Sequence, residues 1–258
     1  MGAFHEGHLS LMRAAKEAGD PVVVSLFVNP TQFGPNEDFQ KYPRDMDRDA
    51  ALAESAGADV LFAPSVEEIY PHKQGTSIHV PVVTELWEGA IRPGHFDGVA
   101  TIVAKLFLIV RPKVAYFGQK DLQQCQVVSR MVEDLNVGVQ LSIVPTMREE
   151  DGLAMSSRNI YLSLDERSRA PEIYRQLSRC LSLFQANRLS EPEVEQILDE
   201  SRKALEERGF VVDYFECVAL DDLTPLSQLQ TPTEVRKDAA LIAAARLGKT
   251  RLIDNLVL

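Results

Sequence analysis

The sequence predicts an α/β fold, a doubly wound parallel sheet followed by a smaller α+β C-terminal domain. Three observations carry this prediction. Strand-like and helix-like segments alternate from residue 8 to residue 144, as in βαβ units winding a parallel sheet. The run Val22-Val23-Val24-Ser25-Leu26-Phe27-Val28 is apolar almost throughout, the mark of a strand covered on both faces. Beyond Pro145 the order changes to long helical segments and then strands, which places a separate α+β unit there.

In order along the chain, residues 8–18 predict a helix with Leu11, Ala15 and Ala18 on one stripe. Pro21 opens the apolar strand over 22–28, Asn29-Pro30 stops it, and a loop runs on through Tyr42-Pro43. A helix is expected over 45–57 and a strand over 59–63, with turns at Pro64 and Tyr70-Pro71. Val99, Ile102, Val103, Leu106, Ile109 and Val110 keep a 3.6-residue period and predict a helix over 97–110. A strand over 114–117, a helix over 121–135 and a strand over 139–144 complete a first domain, residues 1–146. The second domain, 147–258, is expected to hold helices over 165–186 and 191–208 and strands over 211–220 and 239–246.

Composition narrows the function. The 258 residues are 45% hydrophobic and 25% charged, ordinary values for a globular protein. A formal net charge of −11 disfavours non-specific binding to nucleic acid or anionic lipid. A phosphate-bearing substrate therefore needs local positive groups, which draws attention to basic residues inside motifs. Cys125, Cys180 and Cys217 are far apart and odd in number. They read as small core residues in a reducing compartment, without a disulfide framework or zinc spacing. No apolar run approaches the roughly 18 residues of a membrane helix, and no signal-peptide pattern is visible. The expectation is a cytoplasmic protein with neither nucleic acid nor membrane as partner.

Met1-Gly2-Ala3-Phe4-His5-Glu6-Gly7-His8 opens the chain. His-x-Gly-His at a helix start puts two imidazoles on one helical face, and Gly7 lets a phosphate approach the backbone. The N–H groups and dipole of the helix that follows favour an anion there. Phe117-Gly118-Gln119-Lys120-Asp121 stands where a strand gives way to a helix, the place where ligands bind in parallel sheets. Lys120 offers a point charge to a phosphate. The segment reads equally as a glycine turn with a solvated lysine and Asp121 as N-cap. Met155-Ser156-Ser157-Arg158-Asn159, preceded by Arg148-Glu149-Glu150-Asp151-Gly152, suits phosphate oxygens or, alternatively, a polar turn. In Phe27-Val28-Asn29-Pro30-Thr31-Gln32-Phe33 the amides of Asn29 and Gln32 are candidates for reading hydroxyls or a carboxylate. His95, in Arg92-Pro93-Gly94-His95-Phe96-Asp97-Gly98, is open to a substrate contact or a helix-capping role. Neither a dinucleotide fingerprint, nor a Gly-x-x-x-x-Gly-Lys-[Ser/Thr] loop, nor a Gly-x-Ser-x-Gly elbow occurs.

Taken together these motifs, with Tyr42-Pro43-Arg44, Gln123-Gln124 and Gly248-Lys249-Thr250-Arg251-Leu252-Ile253-Asp254-Asn255, resemble the pantothenate synthetase family along essentially the whole chain. The resemblance implies a Rossmann-like fold of the HxGH nucleotidyltransferase type, with a nucleotide- and pantoate-binding first domain and a lid as the second. It implies a ligase that joins pantoate to β-alanine with MgATP. Pantoate attacks the α-phosphate to give pantoyl adenylate and pyrophosphate, and the β-alanine amine then displaces AMP. By similarity the ATP cradle comprises Met1, Gly2, Ala3, Phe4, His5, Glu6, Gly7 and His8, then Gly118, Gln119, Lys120 and Asp121, then Met147, Met155, Ser156, Ser157 and Arg158. Gln32 holds pantoate near the β-alanine site and Gln124 holds pantoate. His8, His5, Lys120 and Arg158 carry the catalytic roles, Mg²⁺ accompanies ATP on ligands the sequence does not name, and the protein is a homodimer. The family carries a strand upstream of the Met-Gly that is Met1-Gly2 here. Without it, ladder groups on neighbouring strands are expected to go unpaired and the histidine turn to be weakly anchored. A weakly active or inactive family member and a related HxGH nucleotidylyltransferase are the competing readings.

Overall fold

A computed structural model describes residues 2–35, 37, 39–186, 189–228 and 238–258. The chain forms two units, residues 1–119 with 123–145 and residues 120–122 with 146–258.

The first unit opens with α1 (Glu6–Glu17), β1 (Val23–Ser25), α2 (Met46–Ser55) and β2 (Val60–Phe62). Next come α3 (Val66–Ile69), α4 (Trp87–Ile91), α5 (His95–Val110), β3 (Val114–Gly118), α6 (Leu122–Asp134) and β4 (Gln140–Val144). β1 and β2 pair in parallel with Val23 opposite Val60, and β3 and β4 pair in parallel with Gly118 opposite Val144. Parallel neighbours need a crossover, which α2 and α6 provide.

The pairing is parallel as expected, but it runs in two separate ladders, and none joins β1 to β3 among the described residues. The run over 22–28 is likewise not a buried strand. Val22, Leu26 and Phe27 are buried, whereas Val23 is 41% and its partner Val60 52% exposed. Its apolar character reflects packing at its two ends, while the three-residue ladder between them lies at an edge.

Phe4, Leu9, Met12 and Leu26 pack with Ala53 and Ala56 into one small core, so α1 is fixed against α2. α5 buries Phe96, Val99, Ala100, Val103 and Phe107, but Ile109, which fits the helical stripe, is exposed where the helix ends.

The second unit contains α7 (Leu164–Arg169), α8 (Glu172–Ala186), α9 (Glu191–Glu207), β5 (Phe210–Ala219), β6 (Ala239–Leu247) and β7 (Thr250–Val257). The helix expected over 165–186 is two helices, because Pro171 lacks an N–H and cannot continue α7. The strands form an antiparallel sheet in the order β5-β6-β7. β6 is central, and its alanine-rich sequence is buried on both faces except at Arg246. α9 packs on β5 and α8 on β6 and β7. β7 is not foreseen from the sequence. Its inward register runs Thr250, Leu252, Asp254, and a carboxylate in the third buried position hides the strand period.

Candidate active site

The first unit builds its site around the start of α1. His5 is the N-cap, and its Nδ1 accepts from Gly7 N at 3.1 Å. His8 Nδ1 accepts in turn from His5 N at 3.3 Å. This is a capping box with histidines where Ser or Thr and Glu or Gln usually stand. The ring centroids lie 4.1 Å apart. Because each Nδ1 is an acceptor, the neutral tautomer of each ring carries its proton on Nε2. The capping bonds thus orient both Nε2–H groups as donors at a helix N-terminus.

The turn before the helix is anchored from elsewhere. Asp49 on α2 is 1% exposed and accepts from both Ala3 N and Phe4 N at 2.7 Å. Arg48 donates to Phe4 O at 3.2 Å. Ala3 is held at φ 54°, a left-handed conformation a non-glycine residue adopts only under constraint. Against the expectation of a weakly anchored turn, two short bonds to a buried carboxylate tie it down. Asp49 belongs to no sequence motif, and its only signal is a charged residue on the buried face of α2. The Glu6 side chain is solvent-exposed and paired with Arg13 at 2.8 Å, which lowers its pKa. The Glu6 carboxylate is thus taken up by Arg13 on the exposed side of α1. Met1 lies outside the described residues.

The segment Phe27–Phe33 is a rigid shelf. Asn29 is 1% exposed and fully engaged. Its Oδ1 accepts from the Tyr70 hydroxyl at 2.9 Å and the Thr31 hydroxyl at 3.0 Å, and its Nδ2 donates to Gly98 O at 3.1 Å. Asn29 therefore holds the shelf, with both ends of its amide engaged within the protein. Gln32 sits beside it, with Oε1 accepting from Asn29 Nδ2 at 3.3 Å. Gly98 has no room for a Cβ, which would stand 2.5 Å from Thr31 O.

His95 resolves to positioning. Its Nδ1 donates to Gln32 O at 2.8 Å and its Nε2 accepts from Arg92 Nη1 at 3.0 Å. Arg92 is itself bidentate to Glu37, at 2.8 and 2.6 Å. Burial and the neighbouring Arg92 cation push the His95 pKa below its ordinary value, and the ring is neutral. Gln124 is half-buried on α6. Its neighbour Gln123 is structural, donating to Val83 O and Leu86 O and accepting from Glu88 N. Gly118 ends β3, and an added Cβ there meets only Leu11, at 4.0 Å.

The second unit holds most of the other residues expected from the sequence to bind ATP. Met147 to Met155 form a hairpin closed by the Arg148–Ala154 bridge and by Met155 N donating to Met147 O at 3.0 Å. Gly152 turns it at φ +94°, where a Cβ would strike the Tyr174 ring at 2.2 Å. Ser156 then caps a 3₁₀ turn over Ser157–Tyr161, its Oγ accepting from Arg158 N at 3.2 Å. Asn159 ties the turn back to Glu149 and Ala154, each at 3.1 Å. Lys120 Nζ lies 3.7 Å from Asp121, and Asn255 Nδ2 donates to Lys120 O at 3.0 Å. The structure thus brings His5 and His8 together in one unit, and Lys120 and the Met155–Arg158 turn both belong to the other. Among the described residues no group of three or more His, Cys, Asp and Glu converges to hold a metal ion, and no helix is long and apolar enough to cross a membrane.

Comparison with known proteins bears on the chain as a whole. The family model described as pantoate-beta-alanine ligase matches residues 1–257. A pantothenate synthetase of Heliobacterium modesticaldum is 53% identical over 258 residues, covering 100% of this chain and 89% of that protein. One of Lysinibacillus sphaericus is 50% identical over 256 residues, covering 99% and 87%. A pantothenate synthetase crystal structure from Thermus thermophilus superposes with a TM-score of 0.91 at 50% identity, covering 100% of this chain and 90% of that one. A pantoate-beta-alanine ligase from Francisella tularensis, complexed with β,γ-ATP and β-alanine, gives 0.78 at 34% identity, covering 100% and 87%.

Proposed function

The chain belongs to the pantoate–β-alanine ligase family, an AMP-forming ligase that makes pantothenate with ATP, and we propose that it does so through the residues described above. The observation that carries the assignment is the histidine cap: two Nε2–H donors fixed at a helix N-terminus by their own capping bonds.

A carboxylate is already ionised at neutral pH, so the attack of pantoate on the α-phosphate needs no general base. It needs alignment and relief of charge on the phosphate oxygens. His5, His8 and the first N–H groups of α1 donate to those oxygens, and Lys120, Ser156, Ser157 and Arg158 supply the remaining donors and charge. Gln32, on its rigid shelf, and Gln124 orient pantoate. The first step forms a carboxylate O–P bond as the α–β phosphoanhydride bond breaks and pyrophosphate leaves. In the second, the neutral β-alanine amine attacks the acyl carbon, AMP departs with the C–O electrons, and the amine loses a proton. The proton lost by the amine passes to the departing AMP phosphate or to water, and His8, the position to which the family's acid role transfers, donates a hydrogen bond from Nε2–H to that phosphate as it leaves.

Mg²⁺ arriving on ATP as part of the substrate would neutralise phosphate charge. The first 146 residues bind nucleotide and pantoate, and the rest form the lid. We assign the protein to the cytoplasm, consistent with three buried thiols, and to a homodimer, which sedimentation tests. A nucleotidylyltransferase is set aside by the family match.

The test is product analysis. Pantoate with MgATP should support pyrophosphate exchange, and AMP release should require β-alanine. Release of ADP and phosphate instead would replace the adenylate by an acyl phosphate, and absence of any turnover would leave an inactive family member.

A further inference from the structure

Two sequence motifs have no part in the chemistry just described: Arg148 with its hairpin, and Asp254-Asn255 in β7. Arg148 is bidentate to Asp254 at 2.6 and 2.9 Å, and the carboxylate is 5% exposed. The same guanidinium donates to Gly152 O at 3.1 Å and to Asn255 O at 3.3 Å, and it lies over the Tyr174 ring at 4.0 Å. One side chain thus joins the hairpin leading to Ser156–Arg158 to the middle of β7. From β7 the connection continues. Asn255 N donates to Asp254 Oδ1 at 2.8 Å, and Asn255 Nδ2 donates to Lys120 O at 3.0 Å.

Asn255 is 3% exposed. Its side-chain amide reaches the Lys120 carbonyl, a bond that an apolar or shorter side chain there does not make. The consequence falls on the lysine. Lys120 is a point charge on a four-carbon stem with no planar fork to orient it, so its backbone must set its direction. Asp121 competes for the ammonium at 3.7 Å.

We propose that Asn255, held by the Arg148–Asp254 pair, is a positioning residue for Lys120. It fixes the lysine turn relative to the Ser156–Arg158 turn, so that two phosphate-binding elements of one unit keep a set spacing. The proposal rests on the reading of Lys120 as a phosphate ligand.

The test is a double-variant cycle on the full chain with MgATP, pantoate and β-alanine. Asn255→Ala should lower kcat/KM for ATP at least about tenfold with KM for pantoate within about twofold of the parent. In the Lys120→Ala background the same change should cost less than about twofold more, because a residue acting through the lysine has nothing left to position. Melting temperatures report folding, and Asn255→Ser, smaller but polar, carries the test if the alanine variant does not fold. Multiplicative losses in the double variant, or an Asn255→Ala enzyme within twofold of the parent while Lys120→Ala is crippled, would overturn the positioning role alone. A Lys120→Ala enzyme of parental activity would overturn the lysine reading and this proposal with it.

Discussion

The histidine turn and the lysine turn present donors of the same kind, yet they are held in opposite ways. At the histidine turn the bonds that orient each ring come from residues two and three positions away, Gly7 N to His5 and His5 N to His8. At the lysine turn the orienting bond spans 135 residues, and the Arg148–Asp254 pair behind it spans 106. A group oriented by its own helix cap keeps its geometry whenever the helix forms. A group oriented through a buried ion pair depends on the whole unit. Substitutions at the first should act on rate with little effect on stability, whereas substitutions behind the second should act on both.

The largest effect is expected at Asp254→Ala, which leaves the Arg148 cation buried without its partner at a cost of about 3–5 kcal/mol. Chemical denaturation should show the loss whether or not substrate is present. A stability unchanged within error would remove the contrast between the two turns. His8→Ala should come next, lowering kcat by an amount corresponding to about 3–4 kcal/mol for a preorganised donor, with a stability loss of only about 1 kcal/mol, the scale of one capping bond. Turnover within about twofold of the parent, ~0.4 kcal/mol of barrier, would take the ring out of the chemistry.

Asp49→Asn lies between the two classes, because it leaves a buried backbone N–H of the histidine turn facing an amide donor, at about 1–3 kcal/mol. It should raise KM for ATP and lower the melting temperature together, and an effect on one without the other would separate anchoring from binding. For His95 the folded pKa lies below its ordinary 6.5. The unfolded chain therefore takes up this proton first, and the stabilisation, complete above 6.5, is lost as pH falls through the lowered folded value. A pH titration of KM for pantoate should show it rising over that window in the parent and not in His95→Gln. The smallest effect is expected at Glu6→Gln, since the carboxylate points to Arg13 and not to the cradle, and turnover should stay within about twofold.

The sequence made legible what is local. The parallel βαβ units, α5 and α6, and a helix start at His-x-Gly-His all follow from period and capping, although His5 stands at the N-cap, before the helix, and not on its face. What it hid depends on partners far along the chain. Asp49 looks like one more acid in Asp45-Met46-Asp47-Arg48-Asp49 until α2 packs beneath the turn. Asn29 looks like a substrate-reading amide until Tyr70 and Gly98 use both ends of it. β7 was obscured by Asp254, whose burial makes sense only with Arg148 opposite. The buried strand read into 22–28 failed for the converse reason: an apolar run records burial, but not which neighbour provides it.

The contact at Gly98 has a consequence for motion. The Thr31 carbonyl stands where a side chain would otherwise separate the Gln32 shelf from α5, and Asn29 bonds across the same seam. Shelf and helix therefore have no slack between them, and the shelf cannot open as a loop does, by local fluctuation of a few residues. Its amides should exchange with solvent at the rate of the first turns of α5, in a single cooperative opening. Were pantoate to bind at Gln32, as proposed, it would meet a shelf with little freedom left to lose, and binding would carry little ordering entropy on the protein side.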